Sequence, residues 1–502
     1  MKTLFLILVV LFIGISSSAD YGPITMRENA NITLDGGLIY KFQTAGLYNI
    51  EAFGADGSDS NGDGQAVQDA LNYTNSVGGG ILYAPPGTYL IDFRSYDAND
   101  VEPGNMLRMK SNVHLRGIPG KTVFKVADDM RNSTHSNCIL YDFNASRNVH
   151  NWSIEGITFD GNLENNDVET GWTSTYDCIG ANNASNYSIT NCVFQNMVGR
   201  WAVFINIGSG TNYFQHNRII GAWGNLSVVP DWTAVYLSGD NVFAESNLIS
   251  PDAEPCNSST GLEIHSAKIG IASGNVIRNT TNGIFMASDN GDGVRFYARD
   301  NDLKISAAGI ATWNFNGHVV DIADIRNNNI EYISDIGIVG HGINIGHSHA
   351  ANNGHVKEAH VVGNNIISGT GKPVWGITAN DWVNLTVTDN TIFGPNKGGI
   401  VVLNNYSVSS QYLTVDRNIL RDCGTVAYGL NAAIWATIDW SVPYTRFNFN
   451  DVSGTAYYGI YMFSDYTPSC NVTIKGNVAD GVIGATAGIV GTKVIQTNGT
   501  VF

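Results

Sequence analysis

Between Thr260 and Ala287 the chain reads TGLEIHSAKIGIASGNVIRNTTNGIFMA. A period of two sorts the first strand of this stretch, with Leu262 and Ile264 on one face and Glu263 and His265 on the other. Ser273-Gly274-Asn275-Val276-Ile277 follows as a turn leading into a second apolar segment, and Gly283-Ile284-Phe285-Met286 begins the pattern again. An Asn followed two places later by Ile, Leu, Val or Ala recurs at Asn191, Asn217, Asn247, Asn275, Asn301, Asn328, Asn364, Asn390, Asn418, Asn450 and Asn477, at intervals of 26 to 36 residues. A strand-and-turn unit repeated at this period buries its apolar face only by stacking on its neighbours, which is the signature of a solenoid.

The expected fold is therefore all-β: a single-stranded parallel β-helix of about a dozen coils, roughly 55 to 60 Å long at a rung spacing of about 4.8 Å. The recurring Asn is expected to stack in one turn column and to bond its amide to the rungs above and below. Leu262, Ile264, Ile284, Ile310, Ile343, Ile377 and Ile400 are expected inside. The longest interval, from Asn328 to Asn364, assigns its excess to a protruding loop at Gly340 to Ala350. An antiparallel sandwich is disfavoured, because hairpin dipeptides do not recur at a spacing of about 8 to 12 residues.

The N-terminal region departs from the repeat. Met1-Lys2, the apolar run Leu4 to Ile15 and the small residues Ser16 to Ala19 have the three parts of a secretory signal, with cleavage expected after Ala19; the apolar run is shorter than the ~20 residues of a membrane span. Further on, Asp63 is placed as an N-cap, and Ala66, Val67, Ala70 and Leu71 recur at helical spacing, predicting a short helix from Gly64 to Asn75. Gly78 to Tyr83 then turn into a strand, and Pro85-Pro86-Gly87 makes a tight turn before Tyr89 to Ile91. Such a helix can cover the open end of a stack of strands.

The Phe53-Gly54-Ala55 turn, the helix and Pro85-Pro86-Gly87-Thr88-Tyr89 together resemble the N-terminal cap of the pectate-lyase-like superfamily, in particular its rhamnogalacturonase and epimerase-like branch. Asn61-Gly62-Asp63 stands where that family carries an Asp-rich turn. The resemblance implies a right-handed parallel β-helix with a capping helix. The chain then divides into a signal peptide (1–19), a cap with the first strands (20–110) and the β-helix (111–502), the last two forming one continuous domain. Gly340-His341-Gly342 looks like a polygalacturonase motif, but the Asn-Thr-Asp, paired-Asp and Arg-Ile-Lys motifs that accompany it there are missing. The Asp-Pro-His-Glu motif of alginate-type epimerases is also absent.

Composition narrows the partners. The chain has 56 glycines, only 14% charged residues and a formal net charge of −17. That balance argues against nucleic acid and against an anionic membrane surface. It also disfavours a polyanionic substrate unless a divalent cation or a local basic patch intervenes. Six scattered cysteines form no metal-binding C-x-x-C pattern, and export would allow one or two bridges. Sequons such as Asn31-Ile-Thr and Asn384-Leu-Thr permit glycosylation.

Stacking the Gly-Ile strands in register gives two columns facing outward. One reads Gly180, Phe204, Tyr236, Glu263, Phe285, Ala311, Asn344, Thr378; the next reads Asn182, Asn206, Ser238, His265, Ala287, Trp313, Gly346, Asn380. Asp177, Arg200, Trp201, Asp231 and Trp232 lie just before these strands. Aromatic faces beside carboxylates on a rigid surface suit pyranose rings. The substrate-binding candidates are therefore Arg200, Trp201, Trp232, Tyr236, Phe285, Trp313, Asn344 and Asn380. Glu263, desolvated by its aromatic neighbours, is the candidate general acid, with His265 to orient substrate or shuttle a proton and Asp231 or Asp177 as the second carboxylate.

Three functions remain open on these residues. A secreted glycoside hydrolase needs no cofactor. A uronate lyase would use Arg200 or His265 as base, with Ca²⁺ held by Asp177, Asp231 and Glu263. A non-catalytic surface or adhesion protein would bind glycan along the same face. All three take a polysaccharide partner, and none fixes an oligomeric state. His341, His347, His349 and His355 could ligate a metal, but they read as a polar surface loop and no metal is assigned.

Overall fold

A computed structural model of the chain describes residues 31–33, 39–41, 46–58, 60–93, 106–130, 138–142, 148–166, 177–197, 201–223, 233–251, 259–288, 291–314, 317–333, 340–348, 354–368, 374–403, 410–424, 432–437, 442, 444–454, 458–463, 471–480 and 494–496. Three sheets, of sixteen, fourteen and thirteen strands among these residues, run side by side, and each coil from Gly80 to Phe463 contributes one strand to each. Every pairing inside them is parallel. Thr260–His265, for example, pairs with Thr233–Ser238 below and Asn282–Ser288 above. The seven apolar residues expected inside are all at most 1% exposed. Ahead of each core Ile sits a glycine for a steric reason: a Cβ on Gly309 would lie 2.3 Å from the carbonyl oxygen of Gly342 in the next coil. The backbones nest there, and no side chain fits between them.

The turn between the sixteen- and fourteen-stranded sheets is closed by the asparagine column. From Asn217 to Asn450, each Asn sends its side-chain amide to the Oδ1 of its counterpart one coil on, the last being Asn477. Asn275 is typical. Its backbone N–H and its Nδ2 both donate to Asn301 Oδ1, at 3.0 and 2.9 Å, and Nδ2 also donates to the Ala244 carbonyl at 2.9 Å. Each ladder Asn is preceded by a residue with φ between 55° and 68°, from His216 to Gly476. Most of these are not glycine, so the left-handed backbone costs energy that the buried amide bonds offset.

Asn191 does not belong to this column. It is exposed with φ 55°, in the position that His216 takes one coil later. Cys192 occupies the ladder position instead, donating its backbone N–H to Asn217 Oδ1 at 3.0 Å. A thiol offers no carbonyl acceptor, so the side-chain ladder starts one coil later. Cys192 and Cys423 are buried free thiols, and burial pushes the Cys192 thiol up to about 12, keeping it protonated. Cys256 and Cys470 lie outside the described residues.

Gly340 to Ala350 is also different from expectation. Gly340–Ser348 is a strand of the thirteen-stranded sheet, with Ile343 and Ile345 in the core. The alternation of Ile343 and Ile345 binds it to the stack and overrides the excess length. A register shift interrupts this strand near Gly346, so that Trp313 pairs with His347 and not with Gly346.

At the N-terminal end the helix Gly64–Ser76 forms as expected, with Val67, Ala70 and Leu71 buried and Ala66 packed on the core. Asp63 precedes it without capping it. Its backbone N–H donates to the Leu90 carbonyl at 2.7 Å, and its carboxylate is taken up outside the helix. Its two oxygens accept the N–H groups of Asp56 at 2.6 Å and Leu90 at 2.9 Å, while Asp92 Oδ1 accepts the Gly64 N–H at 3.2 Å. Asp63 thus ties the cap to the strand Gly87–Ile91. Among the described residues no helix is long and apolar enough to cross a membrane.

Two outcomes follow from this packing. Asn301→Ala strands buried donors and acceptors in two coils and should cost on the order of 3 kcal/mol in a urea unfolding midpoint, whereas Asn191→Gly, outside the ladder, should leave the midpoint nearly unchanged. Deleting residues 20 to 80 should uncover the end of the stack and give aggregates by light scattering; a monomeric, soluble product would refute the capping role.

Candidate functional site

The outer face of the thirteen-stranded sheet is a grid of side chains fixed by register. The first expected column holds at every step, with Gly180, Phe204, Tyr236, Glu263, Phe285, Ala311, Asn344 and Thr378 paired in succession. In the second, Ser238, His265, Ala287 and Trp313 pair in succession, and the column then passes to His347. A further column borders these two. It contains Thr233, Thr260 and Asn282 in the middle coils and Ala308, His341 and Trp375 further on.

Glu263 lies at the centre of the grid, and both of its oxygens are engaged. Thr233 Oγ1, from the coil below, donates to Oε1 at 2.6 Å, and His265 Nε2 lies 3.0 Å from Oε2. The side chains of Glu263 and His265 are only 14% and 15% exposed. A carboxylate can only accept, so this geometry places a proton on His265 Nε2. Tyr236 stacks on the His265 ring at 4.2 Å and 24°, holding the imidazole against its face. The dyad is thereby fixed from three sides, by Thr233, by Tyr236 and by the strand itself.

Aromatic rings extend from this centre in both directions. Trp201 and Phe204 lie 4.5 Å apart, and Phe204 and Tyr236 4.9 Å, below Glu263. Above it Phe285 and Trp313 lie 4.7 Å apart. Further on, His341 stacks on Trp375 at 4.9 Å. An extended chain with apolar ring faces and polar edges matches such a track, because its faces pack on the aromatic rings while its hydroxyls reach the polar groups between them.

Of the residues expected here, Glu263, His265, Trp201, Tyr236, Phe285 and Trp313 come together on this face. Asn344 is nearly buried, its Oδ1 taken by Thr378 Oγ1 at 3.1 Å. Asn380 sits beside the irregularity at Gly346, its N–H donating to the Ile345 carbonyl at 2.9 Å. Arg200, Asp231 and Trp232 lie outside the described residues, as does the side chain of Asp177. Of the four histidines considered as metal ligands, His341 and His355 belong to different sheets; His349 and the side chain of His347 lie outside the described residues. Among the described residues no group of three or more His, Cys, Asp or Glu could hold a metal ion. Thr233, His341 and Trp375 had not been singled out as binding residues. Their signal is the column they share: His341 and Trp375 each stand one residue ahead of the glycine that precedes a core Ile, and Thr233 one residue ahead of the buried pair Ala234-Val235.

Three parallel sheets, a helical cap and an internal asparagine ladder define the right-handed, pectate-lyase-like parallel β-helix. Residues 47–284, which include Glu263 and His265, match the family described as rhamnogalacturonase A/epimerase, pectate lyase-like. The chain is 31% identical over 145 residues to alginate lyase 7 of Azotobacter vinelandii, a match covering 28% of this chain and 16% of that protein. It is 33% identical over 133 residues to mannuronan C5-epimerase AlgE1 of the same organism, covering 26% of this chain and 9% of the epimerase. The chain thus spans less than a fifth of the length of these two relatives. Among solved structures it is similar to a mutant tailspike protein of E. coli bacteriophage HK620 in complex with pentasaccharide, with TM-score 0.61 and 16% identity over 96% of this chain and 85% of that one.

Proposed function

We propose that the chain is a secreted polysaccharide-active enzyme whose glycan lies across the outer face of the thirteen-stranded sheet and is cleaved beside Glu263. The observation that carries this reading is the fixed Glu263–His265 pair set between Tyr236 on one side and Phe285 and Trp313 on the other. Export rests on the signal-like segment ending at Ala19.

In the leading chemistry, glycoside hydrolysis, Glu263 exchanges a proton with the glycosidic oxygen. Asp231 or Asp177 supplies the second carboxylate that such reactions need. Thr233 and His265 hold the Glu263 carboxyl group in one rotamer, so that little reorganisation is needed when the glycan arrives. Tyr236 and Trp313 provide stacking faces on either side of the bond to be cleaved.

The similarity to alginate lyase 7 and to mannuronan epimerases favours a second reading, β-elimination at a uronate. Here His265 or Arg200 would withdraw the proton next to the sugar carboxyl group. Ca²⁺, the ion expected for such a lyase, takes six to eight oxygen ligands. The described residues do not fit it: both oxygens of Glu263 are already engaged and no second described carboxylate joins them. No step is therefore assigned to the ion.

Incubation with neutral and acidic polysaccharides, with and without chelator, separates these chemistries. New reducing ends without ultraviolet absorbance indicate hydrolysis, and absorbance from unsaturated products indicates elimination. Binding without either makes the chain a glycan-binding protein and overturns the enzymatic reading. On the responsive substrate, Glu263→Gln should retain binding while turnover falls on the order of a hundred- to ten-thousandfold. An unchanged rate would remove Glu263 from the mechanism.

A further inference from the structure

Four coils along the sheet from Glu263 there is a second cluster that the catalytic reading does not use. His341, Trp375 and Lys397 come from three successive coils. The His341 and Trp375 rings stack at 4.9 Å and 27°, and Lys397 Nζ lies 4.5 Å from the Trp375 ring centroid. His341 Nδ1 is 2.9 Å from Thr378 Oγ1, whose hydroxyl lies 3.1 Å from Asn344 Oδ1. A hydroxyl has one proton to donate, so with Asn344 Oδ1 as its acceptor it accepts from His341 Nδ1. All three side chains are half-buried.

The placement of the cation is the informative part. The thirteen strands of this sheet contain a single Lys or Arg, Arg108, which is buried. Lys397 stands immediately before the strand Gly398–Leu403 and is held over an indole face, so its ammonium is partly preorganised and loses little freedom on meeting an anion. On a chain of net charge −17 a fixed ammonium on this sheet is a local exception, whereas Glu263 sets a carboxylate where an anionic sugar would meet like charge. The steps from Thr260–His265 through Asn282–Ser288, Ala308–Asn314 and Gly340–Ser348 to Val374–Ala379 number four, or roughly 19 Å at the usual rung spacing.

Building on the proposed glycan-binding face, we propose that His341, Trp375 and Lys397 form a distal subsite for an anionic sugar unit. The unit carries a carboxylate or a sulfate, and it sits about four rungs from a sugar without charge at Glu263. The glycan recognised then carries an acidic unit and a neutral unit about four rungs apart.

The full chain and its Lys397→Gln, Lys397→Arg and Trp313→Ala variants, each checked for an unchanged circular dichroism spectrum and melting midpoint, test this by calorimetric titration. The probes are three oligosaccharide pools of equal length: a heteropolymer containing uronate units, the same pool after carboxyl reduction, and a sulfated neutral glycan. Lys397→Gln should weaken binding of an anionic pool by about tenfold, the worth of one charge-assisted contact, and leave the reduced pool unchanged. Lys397→Arg should restore most of that loss. The anionic pool that responds identifies carboxylate or sulfate as the group bound. Wild-type affinity of Lys397→Gln for both anionic pools, with Trp313→Ala still weakening them, would overturn the subsite while leaving the glycan-binding face intact. If no pool binds the wild type, the glycan-binding reading falls and the subsite falls with it.

Discussion

The buried amide column is the constraint on which the rest of this molecule depends. From Asn217 to Asn450 each Asn is tied to the next coil through both its backbone and its side chain, and its own Nδ2 closes onto a carbonyl of the preceding coil, as does that of Asn477. A slip of one residue in any coil would leave several buried amide groups without partners, at about 1 to 3 kcal/mol each. Register is therefore fixed at one corner and transmitted to all three sheets. The same column makes the left-handed backbone tolerable at non-glycine residues such as Asp300 and Phe449, which would otherwise destabilise every turn.

A fixed register converts sequence spacing into surface geometry. Tyr236, Glu263 and Phe285 come from three coils, yet they stand at successive rungs because their strands pair residue for residue. Thr233 reaches Glu263 across one rung, and Tyr236 covers His265 diagonally. Little of this depends on long flexible side chains. Such a face is assembled before any ligand arrives, which suits recognition of an extended polymer.

Much of this order was legible from the residue pattern. The Gly-Ile repeat placed the core, and the outward columns emerged in the order their spacing implied. The errors have physical causes. Asn191 satisfied the same triplet as the ladder residues because asparagine also favours the left-handed turn position one place earlier. Excess length in the coil between Asn328 and Asn364 suggested a loop at Gly340, although interval length alone cannot say which corner absorbs it. Thr233 and Trp375 went unnoticed as binding residues because the alternation breaks at the corner: a Cβ on Gly261 would meet the core Ile277, and Leu262 is buried beside it. Two consecutive inward positions shift the phase, and the residue before the glycine returns to the outer face.

The position of the ladder also separates what can vary in this architecture from what cannot. Between the sixteen- and fourteen-stranded sheets the connection from Asn217 onward is always one left-handed residue followed by the ladder Asn, so that corner has constant length. The variation in repeat length, from 26 to 36 residues, is therefore absorbed away from this corner, at the two that border the thirteen-stranded sheet and in register shifts within strands such as Gly340–Ser348. Insertions can enter beside the outer face of the thirteen-stranded sheet while the ladder keeps its register. The fold thus keeps an inheritable hinge-free spine on one side and leaves the walls of the opposite face open to change, so a new specificity can be acquired by lengthening a loop while the stack that supports it stays the same.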